Sequence, residues 1–227
     1  MEKVSDISLH VLTSDDFDDV MQLMRRTFYA REVVTNVVGC SDDVMDAMTT
    51  AVIQNDLENG VCFGLRDLKT KKLIAVKICS ILTRDTHHPL EPVKPETFKQ
   101  KAILAVAQSV PPPESLFDDP NIEKILYGRF SNVDPDYTRR GLSNILHEAC
   151  ERAGIEKGCQ VFYSQVGDKA LLGNMINKGC HVLQSTKINE ISLDGQPVIP
   201  KSDSSDFSIS ALVKILIPGT YKFKSSL

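Results

Sequence analysis

The segment 125–159 places a strand pattern, a tight basic turn and a helix pattern in direct succession. Residues that favour strands run from Ile125 to Val133, and the sequence Asp-Pro-Asp at 134–136 ends them. From Gly141 onward, apolar residues recur at helical spacing, and two glycines near the end provide stop signals. The segment therefore predicts a strand that leads through a short turn into a helix N-terminus.

The turn between strand and helix has the composition of an anion site. Gly141 and the small Ser143 let the backbone approach a ligand closely, and the helix that follows supplies unpaired N–H groups and the positive end of its dipole. Arg139 and Arg140 add positive charge. These features predict a cradle for a pyrophosphate. A surface turn with solvated arginines is the alternative, and the order of strand, turn and helix makes it the weaker one.

The run VDPDYTRRGLS at 133–143 resembles motif A of the GNAT superfamily of N-acetyltransferases, which holds the pyrophosphate of acetyl-CoA. The usual pattern is Arg/Gln-x-x-Gly-x-Gly/Ala; here Thr138 stands at the first position and Ser143 at the last. The resemblance implies acetyl-CoA as cosubstrate, with backbone N–H groups and two arginines doing most of the binding. The residues so implied are Thr138, Arg139, Arg140, Gly141, Leu142 and Ser143.

The order of predicted elements is strand, two helices, hairpin, the strand–turn–helix unit, strand, short helix and closing hairpin. No repeat or linker divides the chain, so a single domain over 1–227 is expected. This order is similar to the GNAT topology over nearly the whole chain. It implies an α/β (α+β) fold with a mixed, mostly antiparallel central sheet of about six to seven strands flanked by helices.

Three segments resemble the insect-type arylalkylamine N-acetyltransferases within that superfamily: TFYARE at 27–32, ILYGR at 125–129 and MINKGC at 175–180. The family's proposed general base falls on Glu32. Such a base is needed because an alkylammonium must lose a proton before its nitrogen can attack a thioester. A solvated glutamate at a helix end is the alternative role for this residue.

The acid that would protonate the leaving thiolate has no counterpart in this sequence. The family's serine positions hold Gly167 and Leu171, and the tyrosine position of other GNAT enzymes holds Met175. Tyr127 shares one face of the central strand with Arg129. It is a candidate catalytic residue that could hydrogen-bond the substrate, or it packs against a helix.

The resemblance implies transfer of an acetyl or short acyl group from acetyl-CoA to a small, arylalkylamine-like primary amine, by direct attack in a ternary complex. Backbone N–H groups at Asn132 and Val133 would polarise the thioester carbonyl. Two alternatives stay open: an acyl-CoA-binding protein that lost the chemistry, and a protein or peptide N-acetyltransferase. The proline-containing insertion at 83–124 either covers a small-molecule pocket or is a mobile decoration.

The net charge and the cysteine pattern limit which partners and which kinds of site we expect. A net charge of −4 without a long basic run argues against nucleic acid, and the absence of a twenty-residue apolar span argues against a membrane protein. Six scattered cysteines show neither CxxC pairs nor zinc spacing, so we expect no metal and reduced thiols in a cytoplasmic protein. We further expect a monomer or a weak dimer.

Overall fold

The computed structural model describes residues 6–29, 32–85, 95–199 and 207–221. Its strands are Ile7–Val11 (β1), Phe63–Asp67 (β2), Leu73–Thr83 (β3), Lys124–Val133 (β4), Val161–Val166 (β5), His181–Lys187 (β6), Ser192–Leu193 (β7), Gln196–Pro197 (β8) and Ser208–Ile215 (β9). Seven of these strands form one sheet in the order β1-β2-β3-β4-β5-β9-β6, and the two short strands β7 and β8 form a separate hairpin. Of the pairs in the large sheet, β4–β5 is parallel and the others are antiparallel. This confirms the expected mixed, mostly antiparallel sheet.

Helices cover both faces of the sheet. They are Phe17–Leu23 (α1), Val33–Val38 (α2), Asp42–Leu57 (α3), Phe98–Gln108 (α4), Leu142–Glu156 (α5) and Lys169–Asn177 (α6). Helices α5 and α6 pack on one face, where Leu126 and Phe162 of the sheet meet Cys150 and Met175 of the helices. Helices α1, α3 and α4 cover the other face. The strand β3 is buried almost throughout because it has neighbours on both edges and helices on both faces.

The start of the chain differs from the expected two helices. α1 continues as a wider π-helix over Met24–Tyr29, and the extra helix α2 stands between it and α3. Glu32 caps α2, because its carboxylate accepts the backbone N–H of Thr35 at 2.6 Å. Gly39, with a φ of 70°, ends the helix. A helix of six residues is too short to produce a periodic apolar pattern that sequence reasoning can detect.

The sheet divides where β4 and β5 separate. These strands pair from Ile125–Val161 to Gly128–Ser164, and beyond that point β4 continues to Val133 paired with β3 alone. The Ser164 hydroxyl donates to the carbonyl of Gly128 at 2.8 Å and closes the end of the paired part. A Cβ on Gly128 would lie 2.7 Å from the Phe162 ring, so glycine is needed for this close packing. The result is a wedge-shaped cleft that opens between the two strands.

The insertion between β3 and β4 is ordered where the structure describes it, while 86–94 lie outside the described residues. Thr97 and Gln100 form a capping box at the start of α4. The helix packs against α2, and Tyr163 on β5 donates its hydroxyl proton to the carbonyl of Pro111, just beyond the helix. The described part of the insertion is therefore attached to the sheet beside the cleft.

Candidate active site

The cleft between β4 and β5 has a volume of about 340 Å³. Its walls are the diverging parts of these strands, at 128–133 and 164–166, together with Gly167, Asp168 and the α6 side chains Leu171 and Met175. Ser143 in the first turn of α5 lies at the other end. One cleft thus extends from the predicted anion-binding turn at 138–143 (the anion turn) to the point where the two strands meet.

The register of β4 decides which backbone groups face the cleft. The N–H of Asp134 donates to the carbonyl of Ile74 at 2.7 Å, and hydrogen-bonded residues alternate along an antiparallel pair. Asn132 therefore pairs with Val76 on β3, while the N–H and C=O groups of Ser131 and Val133 point toward the cleft. This corrects one expectation: Asn132 does not offer its N–H to a ligand, and Ser131 is placed to do so instead. The side-chain amide of Asn132 donates to Thr27, which ties β4 to the first helix.

The turn before α5 is held by a buried carboxylate. Asp134 pairs with Arg26 at 2.6 Å and accepts the N–H of Asp136 at 3.1 Å. The bond from Asp136 lies within the turn, and the ion pair with Arg26 comes from the helical segment that follows α1. The turn is therefore held in place relative to that segment before any ligand binds. The sequence indicated a break at this aspartate but not its partner.

The anion turn itself combines exposed cations with left-handed backbone. Arg139 has a φ of 61° and Gly141 a φ of 75°, and both arginines are exposed. A non-glycine residue in this region is strained, and such strain is often found at binding sites. The guanidinium of Arg140 lies 5.0 Å from the centre of the Tyr137 ring. Thr138 donates its hydroxyl proton to the carbonyl of Pro135 at 3.0 Å, within the turn.

The first N–H groups of α5 complete this turn. The N–H groups of Asn144 and Ile145 donate to the carbonyl of Gly141, so those of Leu142 and Ser143 come before the first helical hydrogen bonds. The side chain of Leu142 is 2% exposed and packs in the core, which leaves its backbone N–H as the group that can meet a ligand. The arrangement suits an anion at the helix N-terminus.

A second cavity of about 180 Å³ adjoins the cleft and is lined by residues of α2, α3 and α4 as well as β4. Its walls are mainly apolar and aromatic: Phe28, Val34, Met45, Ile103, Val106, Tyr127 and Phe130 are among them. The two cavities meet along the residues they share, which are Phe28, Glu32, Gly128, Arg129, Phe130, Gln165 and Ile209. The α4 side chains show that the insertion forms part of the wall of this cavity.

Glu32 is half-buried at the junction of the two cavities. Its Oε2 accepts the N–H of Thr35 at 2.6 Å and the hydroxyl proton of Thr35 at 2.8 Å. Its Oε1 faces the opposite wall of the cleft, 3.8 Å from where a Cβ on Gly167 would lie. The carboxylate is thus held by one oxygen and presents the other to the cleft.

Tyr127 lies on the floor of the second cavity rather than at its mouth. It is 8% exposed, meets the ring of Tyr163 edge to face at 5.4 Å, and lies under the guanidinium of Arg129 at 4.5 Å. Burial raises the pKa of Tyr127, with the charge of Arg129 opposing the rise. The sequence placed Tyr127 and Arg129 on one face, and their contact agrees with that.

Arg129 stands at a bulge in β4 and forms an ion pair with Asp56, from α3, at 2.9 Å. Both side chains are buried, and Asp56 also accepts the hydroxyl proton of Ser80 at 2.6 Å. Burial raises the pKa of Asp56, against the lowering effect of Arg129. The sequence did not indicate this pair, because its members lie far apart in the chain.

Comparison with solved structures identifies the architecture. The chain is similar to arylalkylamine N-acetyltransferase 2 from Aedes aegypti, at 19% identity and a TM-score of 0.75, with 93% of this chain and 99% of that one covered. It is similar to the Drosophila melanogaster polyamine N-acetyltransferase that forms N-acetylagmatine, at 17% identity and a TM-score of 0.74, covering 92% and 100%. Similarity to the ribosomal-protein-S18-alanine N-acetyltransferase from Escherichia coli is lower, at 13% identity and a TM-score of 0.54, covering 93% and 94%. The chain has the GNAT fold. No family model matches the sequence, and no curated protein is similar to it.

On this GNAT fold, the three positions that lack an acid are all found in the cleft. Gly167, Leu171 and Met175 line it. The nearby hydroxyls of Ser164 and Tyr163 already donate to the carbonyls of Gly128 and Pro111. No described residue at these places is available as a proton donor.

One polar group in the cleft was missed by sequence reasoning. Lys77 on β3 is buried, and it lines the cleft. A usable signal was present, since Lys77 is the one charged residue in the apolar run LIAVKICSIL at 73–82. An isolated charge in a strand with two buried faces has to find a partner or a cavity.

The described residues contain no group of three or more His, Cys, Asp or Glu side chains arranged to hold a metal ion. Among their helices none is both long and apolar enough to cross a bilayer. All six cysteines are unpaired, and five of them are buried.

Proposed function

We propose that this protein transfers an acetyl or short acyl group from acyl-CoA to a small primary amine, by direct attack within a ternary complex. The supporting observation is the junction of two unlike cavities at Glu32. One cavity extends from an anion turn along free backbone groups, and the other is small and mainly apolar. A carboxylate at their junction is placed between a thioester and an amine.

The cosubstrate would lie along the cleft. Its pyrophosphate would bind at residues 138–143, through the N–H groups of Leu142 and Ser143 and the charges of Arg139 and Arg140. The amides of its pantetheine arm would pair with the exposed edge of β4 at Ser131 and Val133, like an added strand. A backbone N–H of this edge would polarise the thioester carbonyl.

Glu32 would act on the amine. An alkylammonium has a pKa of about 10, so a base must remove its proton before attack at neutral pH. The fixed Oε2 keeps the side chain in place, and Oε1, which accepts no hydrogen bond from the residues that the structure describes, would take the proton directly or through water. The neutral nitrogen then adds to the carbonyl carbon and loses its second proton to water, the C–S bond breaks, and its electron pair leaves with the coenzyme A sulfur.

The second cavity favours a compact amine that carries an apolar or aromatic group. Phe28 and Phe130 contact each other edge to face at 5.4 Å and form one wall, and α4 closes another. Two of the similar structures are named as an arylalkylamine N-acetyltransferase and as an enzyme that forms N-acetylagmatine, and both names are consistent with a small amine acceptor. A wall formed by α4 disfavours an extended peptide, for which an open groove would be needed. The cytoplasmic location and the monomeric or weakly dimeric state stay predictions.

A thiol-release assay tests this function. The protein is incubated with acetyl-CoA and, separately, with arylalkylamines, agmatine and other polyamines, and lysine peptides. We expect amine-dependent release of coenzyme A, highest for a small amine. Saturable binding of coenzyme A without turnover on any amine would favour the acyl-CoA-binding alternative, and a preference for peptides would favour the protein acetyltransferase alternative.

A further inference from the structure

Lys77 places an unpaired ammonium in the cleft. Its side chain is 5% exposed, and its Nζ lies 5.3 Å from the centre of the Phe162 ring and 3.6 Å from where a Cβ on Gly128 would be. Within the described part of the chain, no carboxylate, carbonyl or hydroxyl accepts a hydrogen bond from this nitrogen or forms an ion pair with it. The ammonium therefore faces the space of the cleft, where it can meet a ligand.

The described groups that pack around Lys77 leave it without an ion pair. Burial lowers the pKa of His147 on α5, and Glu151 on the same helix lies 3.0 Å from His147 and 2.7 Å from Lys214. The thiols of Cys79, Cys150 and Cys180 also lie near Lys77. The charged residues that line the same cleft are Glu32, Arg129 and Asp168.

The position of Lys77 matches the closed end of the cleft. Gly128 is the last residue of β4 that pairs with β5, and the free edge extends from there to Val133, over roughly 16 Å at about 3.3 Å per residue. A pantetheine arm whose phosphates bind at the start of α5 would run along this edge. Its sulfur would then come to rest near Gly128, next to the ammonium.

We propose that Lys77 is the group that receives the coenzyme A sulfur when the thioester breaks, a role that rests on the proposed function. As the amine nitrogen bonds to the carbonyl carbon, the C–S bond breaks and its electron pair moves to sulfur. The Lys77 ammonium donates a hydrogen bond to that sulfur and stabilises it as the thiolate, which takes up a proton from water after it leaves. This supplies the stabilisation of the leaving group that the positions of Gly167, Leu171 and Met175 do not.

The experiment measures the thiol pKa of bound coenzyme A, by ultraviolet absorbance of the thiolate as pH is raised. A cation at hydrogen-bonding distance should lower that pKa by about one unit or more relative to free coenzyme A. The variant Lys77→Met should remove the shift. The control Lys101→Met, which removes an exposed lysine on α4, should keep it.

A second measurement uses the unaltered protein, so that a folding defect in the variant cannot decide the matter. Coenzyme A should bind more tightly as pH rises through the pKa of its thiol, approaching about tenfold relative to S-methyl-coenzyme A, which cannot ionise.

The outcomes separate this inference from the proposed function. If coenzyme A binds and its thiol pKa equals that of the free compound, or is the same in Lys77→Met as in the unaltered protein, the role of Lys77 is overturned and the acyltransfer proposal stands. If calorimetry detects no binding of coenzyme A to the unaltered protein, both fail together.

Discussion

At the scale of single residues, Gly141 is the most sensitive position of the anion turn. Its φ of 75° favours glycine, and a Cβ there would meet no atom within 4 Å. Gly141→Glu adds backbone strain of about 1 kcal/mol and a carboxylate beside the expected phosphates. We expect calorimetry to show an affinity for coenzyme A that is lower by about tenfold or more, since each 1.4 kcal/mol is about tenfold.

The control for this change is Gly141→Ala, which adds the strain without the charge and should have a smaller effect. Replacing Arg139 and Arg140 together by alanine should also weaken binding less than Gly141→Glu, because the backbone N–H groups remain. Unchanged affinity in Gly141→Glu would place the phosphates elsewhere.

The prediction for Glu32, also at the scale of single residues, concerns the turnover number rather than the affinity for acetyl-CoA. Glu32→Gln keeps the shape of the side chain and removes the base, so the turnover number at pH 7 should fall by about a hundredfold. The loss should shrink at high pH as free amine accumulates, since the amine pKa is about 10. Affinity for acetyl-CoA should stay nearly unchanged.

A pH–rate profile of both proteins with one accepted amine measures this effect. Glu148→Gln, which removes the charge of an exposed glutamate on α5, is the matched control and should leave the profile unchanged. If Glu32→Gln turned over as fast as the unaltered protein at every pH, the carboxylate would be only the cap of α2, and Tyr127 with water would be the next candidate.

At the scale of secondary-structure elements, the buried ion pair of Asp56 and Arg129 joins α3 to the bulge of β4. Asp56→Ala leaves a buried guanidinium without its counter-ion, which should cost about 3–5 kcal/mol in the free energy of unfolding. Denaturant titration measures this. Asp6→Ala, which removes an exposed ion pair with Lys69, is the control and should have a far smaller effect. A similar change in both variants would mean that the buried pair is no stronger than a surface one.

At the scale of the whole molecule, His147 makes stability depend on pH. Burial lowers its pKa below the ordinary 6.5. In the window between the lowered pKa and 6.5, the unfolded chain binds a proton there and the folded protein does not, so stability falls as pH falls through that window. The free energy of unfolding should therefore drop on acidification below pH 6.5. His147→Gln should flatten this part of the curve; an equal slope in that variant would assign it to other groups.

Much of the fold could be predicted from local pattern, and the contacts across the fold could not. The strand–turn–helix unit has nearly the expected bounds, with β4 at Lys124–Val133 and α5 at Leu142–Glu156, because each segment has its own periodicity and stop signals. The direction of the Asn132 N–H depends on pairing with β3, and a one-residue change of register reverses it. Arg129 lies 73 residues from its partner Asp56, and Arg26 lies 108 residues from its partner Asp134, beyond the reach of any local window.

The short pairing of β4 with β5 has a mechanical consequence. Four residue pairs, Ile125–Val161 to Gly128–Ser164, form the backbone seam between the first four strands and the last three within the described sheet. A ligand arm bonded to Ser131 and Val133 would extend this short region of backbone pairing. Binding of the cosubstrate in the cleft would therefore also hold the two halves of the sheet together and stabilise the folded protein.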